Sequence, residues 1–374
     1  MTDKLIQIYV PLLNNYKKSA IDAIESGWIS NHGKYTNLAT EKLKTILNVK
    51  YVILMSNGTV ATHCMFMALK HKYPNIKKIY VPNNCYVAVY NCALIEYDIN
   101  DLHIMRIDNE TWNMCEDENY IMSLEKDSAV MIVHNVGGII DVDKIKLLRP
   151  DLILIEDNCE GLFGKYNNKY TGSSDNVLCT SISFYGNKTI TTGEGGAFLT
   201  NDDDVYNFIG KVYTQGMSDI RFVHNIHAYN YRMTNIEAGF LYDQLNDIEH
   251  ILELKKNVFN YYEILLSDLI ESGDVQLQKI HDNCERANWM FTIKLVNNNK
   301  SINDLEKYFI DNKIETRPFF YPYCRHEHLK QIKYNYDDIE ISEKLNNNVI
   351  MLPSYPTLTK QDQEYIVDKI KHLD

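Results

Sequence analysis

The chain has 374 residues, 45% of them hydrophobic and 24% charged, with 27 Tyr among its aromatics. That composition leaves ample surface to bury and excludes disorder as the main state, while the length exceeds one small core and implies two domains. With 38 basic against 50 acidic residues, net −12, the charge balance argues against a sequence-independent grip on nucleic acid or an anionic membrane, leaving small molecules or protein partners.

The first ten residues lack a charged region followed by an apolar core and a small-residue cleavage site, so no signal peptide is expected. No uninterrupted apolar run reaches bilayer length. The eight cysteines contain no CxxC pair, which argues against a zinc site and a redox dithiol; no metal is expected, and reduced thiols fit a cytoplasmic location. No internal repeat is present, and the short Asn runs at 297–299 and 346–348 read as surface loops.

From residue 15 to 273 helix-like and strand-like pieces alternate, the pattern of an α/β layer structure with a largely parallel sheet. Ala39, Leu43, Ile46 and Leu47 mark a helical face, followed by the buried strand Tyr51 to Met55 and a helix opening at Thr59. The runs Ile79 to Val81, Ala129 to Val133 and Leu152 to Ile155 are short, rich in branched residues and bounded by polar ones, as central parallel strands should be. From Ile248 to Leu269 apolar residues hold helical spacing for about seven turns up to Gly273, predicting one long helix that bridges two domains. Beyond it, Trp289, Phe291, Ile293 and Leu295 alternate with neighbours of mixed polarity, predicting a half-buried antiparallel strand. Ser301 with Asp304, and Thr359 with Asp362, have the spacing of capping boxes. The division predicted is a large domain over 1–246, N-terminal segment included, and a small α+β domain over 247–374.

Three stretches carry chemistry. Ser56-Asn-Gly-Thr59 lies where a strand turns into a helix, so its N–H groups and the positive helix end face either an anion or only their own capping side chain. Leu152 to Asp157 delivers two acids at the carboxyl end of a strand, where open α/β sheets place ligands; Asp157 there needs a cationic partner, such as a protonated ring nitrogen, or serves as a helix cap. In Thr180 to Thr200 a strand ending at Ser183 runs into a bend carrying Lys188, and a Gly-rich return follows. A lysine held in such a bend can be desolvated into a nucleophilic amine, although most lone lysines are surface charges. Together a phosphate cradle, a strand-end carboxylate and a lysine are what a pyridoxal phosphate enzyme requires. Gly-Glu-Gly-Gly at 193–196 lacks the order of a dinucleotide loop.

At these residues the chain resembles the pyridoxal phosphate dependent nucleotide-sugar aminotransferases, and within them the perosamine and viosamine synthase type. The resemblance runs through Ser26 to Ser30, Ser56 to Thr59, Ile155 to Asp157, Ser183 to Lys188 with its Thr-Thr-Gly-Glu-Gly-Gly tail, Asn230 to Thr234, Ile314 to Pro322 and Leu352 to Pro356. It implies an aspartate-aminotransferase-like (fold type I) large domain with a mixed, mostly parallel sheet, a smaller α+β domain, and pyridoxal 5'-phosphate as cofactor. It implies Lys188 as the Schiff-base lysine, Asp157 as partner of the pyridine nitrogen and Glu160 near the phenolic oxygen. Gly58, Thr59 and Ser183 would hold the phosphate, Tyr86 would stack on the ring or serve as a core tyrosine, and Asn230 would reach the phosphate of a neighbouring subunit. The reaction implied is amination of a nucleotide-linked 4-keto-6-deoxyhexose at C4, with L-glutamate as donor, in a homodimer with shared active sites. Trp28, Arg221, Arg317 and Tyr321 are candidates to contact the sugar nucleotide, with a surface arginine and packed aromatics as the plain alternative.

The chain departs from the family in two places. Pro322 is followed by Tyr323 and Cys324 where a histidine is common, the nearest being His326, and Gly138 falls where relatives often carry a larger side chain. Both departures bear on substrate identity, and the residues leave the nucleotide open among UDP, GDP and dTDP. Rival readings are a sugar 3-aminotransferase, a dehydratase of the same fold, in which histidine replaces the Schiff-base lysine, and a non-catalytic binding protein.

Overall fold

The computed structural model describes residues 4–332 and 336–373. In chain order its strands are β1 (Tyr51–Met55), β2 (Ile79–Pro82), β3 (Leu102–Met105), β4 (Ala129–Val133), β5 (Ile153–Asp157), β6 (Lys165–Tyr166), β7 (Lys169–Tyr170), β8 (Val177–Ser183), β9 (Gly196–Thr200), β10 (Val275–Leu277), β11 (Cys284–Glu285), β12 (Phe291–Leu295), β13 (Arg317–Pro318) and β14 (Val349–Leu352). The main sheet has the order β1-β9-β8-β5-β4-β2-β3. Pairing from β8 to β3 is parallel, and β9 runs antiparallel to both β8 and β1. This is the mixed, mostly parallel sheet of fold type I.

The apolar runs form this sheet because helices cover both of its faces. Along β1, Val52 and Leu54 join one core while Ile53 and Met55 join the other, and β4 divides its residues the same way. All five residues of β4 are buried, and burying each of Val130, Met131, Ile132 and Val133 stabilises the fold by roughly 1.5–3 kcal/mol. The strand directions bring the carboxyl ends of β1, β2, β4, β5 and β8 to one edge, together with the start of β9. Open α/β sheets place ligands at that edge.

A second sheet, wholly antiparallel, has the order β10-β12-β14-β13. The helix Ile248–Leu265 bridges the two cores: Ile248 and Ile251 pack with the first sheet, Val258, Phe259 and Tyr262 with the second. The long helix read from the sequence is in fact two, since Leu266 separates Ile248–Leu265 from a short helix, Ser267–Glu271. Hydrophobic spacing continues across such a break and does not announce it. In β12 all five residues are buried instead of every second one. The polar face is covered because Lys294 packs its stem and places its amine 2.8 Å from Asn109 Oδ1. The N-terminal segment, grouped above with the first domain, runs against the second sheet: Ile6 exchanges backbone hydrogen bonds with Lys313 and Glu315 and joins that core. Ser301 and Thr359 cap the helices Ile302–Asp311 and Lys360–Lys371, accepting from Asp304 N and Asp362 N.

Candidate active site

At the ligand edge a cavity of about 870 Å³ opens between the two sheets. One wall is the start of the helix Gly58–Lys72. Asn57 caps it by accepting from Val60 N at 3.0 Å, so the plain capping role belongs to Asn57, and Gly58 and Thr59 line the cavity. Gly58 abuts the end of β8 so closely that a side chain there would overlap Ser183. The helix start, Thr59 and the Ser183 hydroxyl thus converge on the dipole end that favours an anion.

Alternation along β5 separates its two acids. Glu156 points away from the cavity and is fully buried, accepting from Thr180 Oγ1 at 3.0 Å and Gly172 N at 3.2 Å, with His134 Nε2 at 2.7 Å. Ile140 N donates to the other His134 ring nitrogen at 3.2 Å, so the proton sits on Nε2, facing the carboxylate. Asp157 lines the cavity, with Oδ1 accepting from Cys159 N at 3.0 Å.

Lys188 lies in the bend between β8 and β9, which Gly193 and Gly195 turn with φ of +90° and +131°. Its Nζ is 4.0 Å from Glu160 Oε1 and 4.1 Å from the centroid of the Trp289 ring. Burial pushes the Glu160 carboxyl up to about 7 against the opposing pull of Lys188 and of Val136 N–H, which donates to Oε2 at 2.8 Å. Val136 holds φ +50°, a strained conformation for a β-branched residue, and so aims its N–H at Glu160.

Arg317, Phe320 and Tyr321, from the second sheet's side, line the cavity too, as do Tyr86 and His326. Of the residues proposed from sequence, Gly58, Thr59, Tyr86, Asp157, Glu160, Ser183, Lys188, Arg317 and Tyr321 all line this one cavity. Trp28, Arg221 and Asn230 lie outside it. Trp28 is 63% exposed, Arg221 lies over Phe222, and Asn230 Oδ1 accepts from Arg232 Nε at 2.8 Å. Trp289 and His326 are among the cavity residues that sequence reasoning left without a role. His326, its imidazole held below the usual range by burial and by neighbouring His328, comes from the same stretch that lacks the familiar histidine. Gly138 does not line the cavity: a Cβ on it would lie 2.2 Å from Gln278 Nε2, so Gln278 fills the space a larger residue would take.

The donor set fits pyridoxal phosphate. The cradle at Gly58, with no room for a side chain, would take a phosphate, the strand-end carboxylate of Asp157 would suit a protonated ring nitrogen, and Lys188 lines the same cavity with its amine. Among the described residues no cluster suited to a metal ion exists, and no helix is long and apolar enough to cross a membrane.

Residues 13–371 match the sequence profile of the DegT/DnrJ/EryC1/StrS aminotransferase family. The chain is 33% identical to a GDP-perosamine synthase of Escherichia coli O157:H7, over 99% of each chain, and 31% identical to one of Vibrio cholerae, over 98% of this chain and 99% of that one. Its fold is that of the Helicobacter pylori aminotransferase PseC (TM-score 0.86, 20% identity, 99% of each chain). It is equally that of an E. coli GDP-4-keto-6-deoxy-D-mannose-3-dehydratase with bound hydrated PLP (TM-score 0.86, 20% identity, 98% of this chain and 99% of that one).

Proposed function

The chain belongs to the DegT/DnrJ/EryC1/StrS aminotransferase family and uses pyridoxal phosphate; from that premise we propose that it moves the amino group of L-glutamate to C4 of a GDP-linked 4-keto-6-deoxyhexose, giving GDP-perosamine. The observation that carries this reading is the end-to-end match to GDP-perosamine synthases in a chain that keeps Lys188 in the cavity.

When bound, pyridoxal phosphate supplies an electron-withdrawing ring that takes up and returns an amino group. Everything else falls to the protein. Gly58, Thr59 and Ser183 would hold the phosphate. Asp157 would hold a proton on the ring nitrogen, and Glu160, 4.0 Å from Lys188 Nζ, would serve the phenolic oxygen. Lys188 would anchor the cofactor through its amine and, when free, would carry a proton on Nζ to and from the reacting carbon. Tyr86 and Trp289 bound the ring space, while Arg317 and Tyr321 receive the sugar nucleotide. The dehydratase reading is disfavoured by Lys188 itself, since by the resemblance those enzymes carry histidine there.

The assembly we propose is a homodimer with shared sites. Asn230 lies outside the cavity of its own chain, in a segment that also exposes Ile220, Phe222 and Val223 at 68%, 73% and 45%. A contiguous apolar stretch of this kind suits a second copy of the chain, to which Asn230, Arg221 and Trp28 would contribute. All eight cysteines are free thiols, which supports a cytoplasmic setting.

The test is to supply the purified holoenzyme with L-glutamate and the GDP-, UDP- and dTDP-linked 4-keto-6-deoxyhexoses while following 2-oxoglutarate release. The GDP sugar should give the highest kcat/KM by at least about tenfold, a preference within reach of a few good contacts. Better turnover of another nucleotide would overturn the substrate, and no response to glutamate would overturn the transaminase.

A further inference from the structure

The bridging helix Ile248–Leu265 carries a second lysine deep in the protein. Lys255 is fully buried, and no carboxylate of the described residues pairs with it. Its Nζ donates instead to two backbone carbonyls, Trp289 O at 2.7 Å and Ser354 O at 2.5 Å, and lies 5.4 Å from the ring centroids of both Tyr9 and Phe259. Burial alone pushes its ammonium down to about 7. An apolar side chain would fill this space without the cost of desolvating a charge, so the amine needs a reason to be there.

The reason lies in what its partners touch. Trp289, held by its carbonyl, donates from its indole N–H to Asn187 O at 2.9 Å and lays its ring under Lys188 Nζ. Tyr9, whose ring rests against Lys255, donates its hydroxyl to Lys188 O at 2.7 Å. Two consecutive carbonyls of the lysine bend are therefore each gripped by an aromatic residue, and both aromatics are seated on one ammonium. Ser354 completes the hub: its hydroxyl accepts from Phe291 N at 2.9 Å, and Pro353 O accepts from the Tyr262 hydroxyl at 2.8 Å, two turns further along the same helix. The Leu352-Pro-Ser-Tyr-Pro356 stretch, singled out by the resemblance but absent from the cofactor chemistry, thereby gains a task.

We propose that Lys255 is a positioning residue for Lys188, fixing Trp289 and Tyr9 so that they hold the Asn187–Lys188 backbone and the Lys188 amine over the cavity. The proposal rests on Lys188 being the reactive amine, as argued above. Lys255 does not line the cavity itself and acts on Lys188 through Trp289 and Tyr9.

The test uses Lys255→Met, which keeps the apolar stem and removes the donors. In the cofactor-free protein, acetylation of Lys188 by acetic anhydride is followed by peptide mass spectrometry, with exposed Lys211 as internal reference. Labelling of Lys188 should change at least threefold while Lys211 is unmoved. In the holoenzyme, kcat of the half-reaction with glutamate should fall about ten- to a hundredfold with KM nearly constant, as displacement of a reacting group by about 1 Å produces. Tyr9→Phe, which removes only the hydroxyl on Lys188 O, should shift both readouts in the same direction by less and combine non-additively with Lys255→Met. Parental labelling together with parental kcat in folded Lys255→Met would overturn the proposal, as would the same result in Tyr9→Phe if the methionine variant does not fold. Because labelling needs neither cofactor nor sugar, it stands or falls apart from the choice of substrate.

Discussion

Gly58 stands so near Ser183 that a Cβ built on it would lie 2.6 Å from the serine's own Cβ. The helix start and the strand end meet with nothing between them, which leaves the first-turn N–H groups open to an anion. Gly58→Ala should force them apart and weaken pyridoxal phosphate binding at least about tenfold, the effect of losing one or two charge-assisted hydrogen bonds. Titration of the cofactor-free protein, read by visible absorbance, checks this; parental affinity would place the phosphate elsewhere.

Asp157→Asn keeps the shape of the strand end and removes its charge. Cofactor content should stay within a few fold of the parent, while turnover falls by about 10²–10⁴, the range for a misplaced proton in acid–base catalysis. If the variant turns over like the parent, another acid holds the ring proton.

Glu160 makes the site's stability depend on pH. Its carboxyl titrates near 7 in the folded protein, because burial penalises the charge, and near 4.3 in an unfolded chain. Between those values the folded chain keeps a proton that the unfolded chain has released, so the contribution of this group to stability falls as pH rises through the window and is level above it. Unfolding of the cofactor-free parent and of Glu160→Gln by urea should therefore show the parent losing up to about 3 kcal/mol relative to the variant between pH 4.5 and 7.5. A constant difference across that range would show that Glu160 titrates normally.

Shared sites predict complementation. Lys188→Ala chains mixed with Asn230→Asp chains, each inactive alone, should regain up to half the parental activity per mixed dimer, since both lesions fall in one site and spare the other. No recovery despite subunit exchange verified by mass spectrometry, or a fully active monomer in sedimentation, would rule the arrangement out.

The strands of the main sheet were legible because a strand covered on both faces must be largely apolar, as β4 is throughout and β5 is up to its two terminal acids. Lys188 was legible for a local reason too: glycines placed to turn the chain mark the bend that carries it. What stayed hidden is whatever depends on residues distant in sequence. Nothing around Trp289 says that its ring will lie under Lys188, and nothing in Thr292 or Lys294 says that the outer face of β12 will be covered. Lys255 reads as one more charged residue on an amphipathic helix, although its position on the buried face, three residues before Val258 and four before Phe259, was a signal that apolar spacing alone did not use. The break at Leu266 escaped because a helix can end and restart without losing its hydrophobic phase.

The place of β9 between β1 and β8 also bears on how the chain is made. β1 leaves the ribosome long before β9, the strand it pairs with in the main sheet, and until Gly196–Thr200 has been synthesised that pairing cannot form. Entry of that strand closes the sheet, and through the bridge between Asn57 and Gly195 it draws the lysine bend against the helix start in the same movement. Such long-range pairings form slowly, since the chain must be ordered before they reward it. A nascent polypeptide therefore gains its finished sheet and the cofactor half of its pocket together, and a truncation ahead of Gly196 has neither.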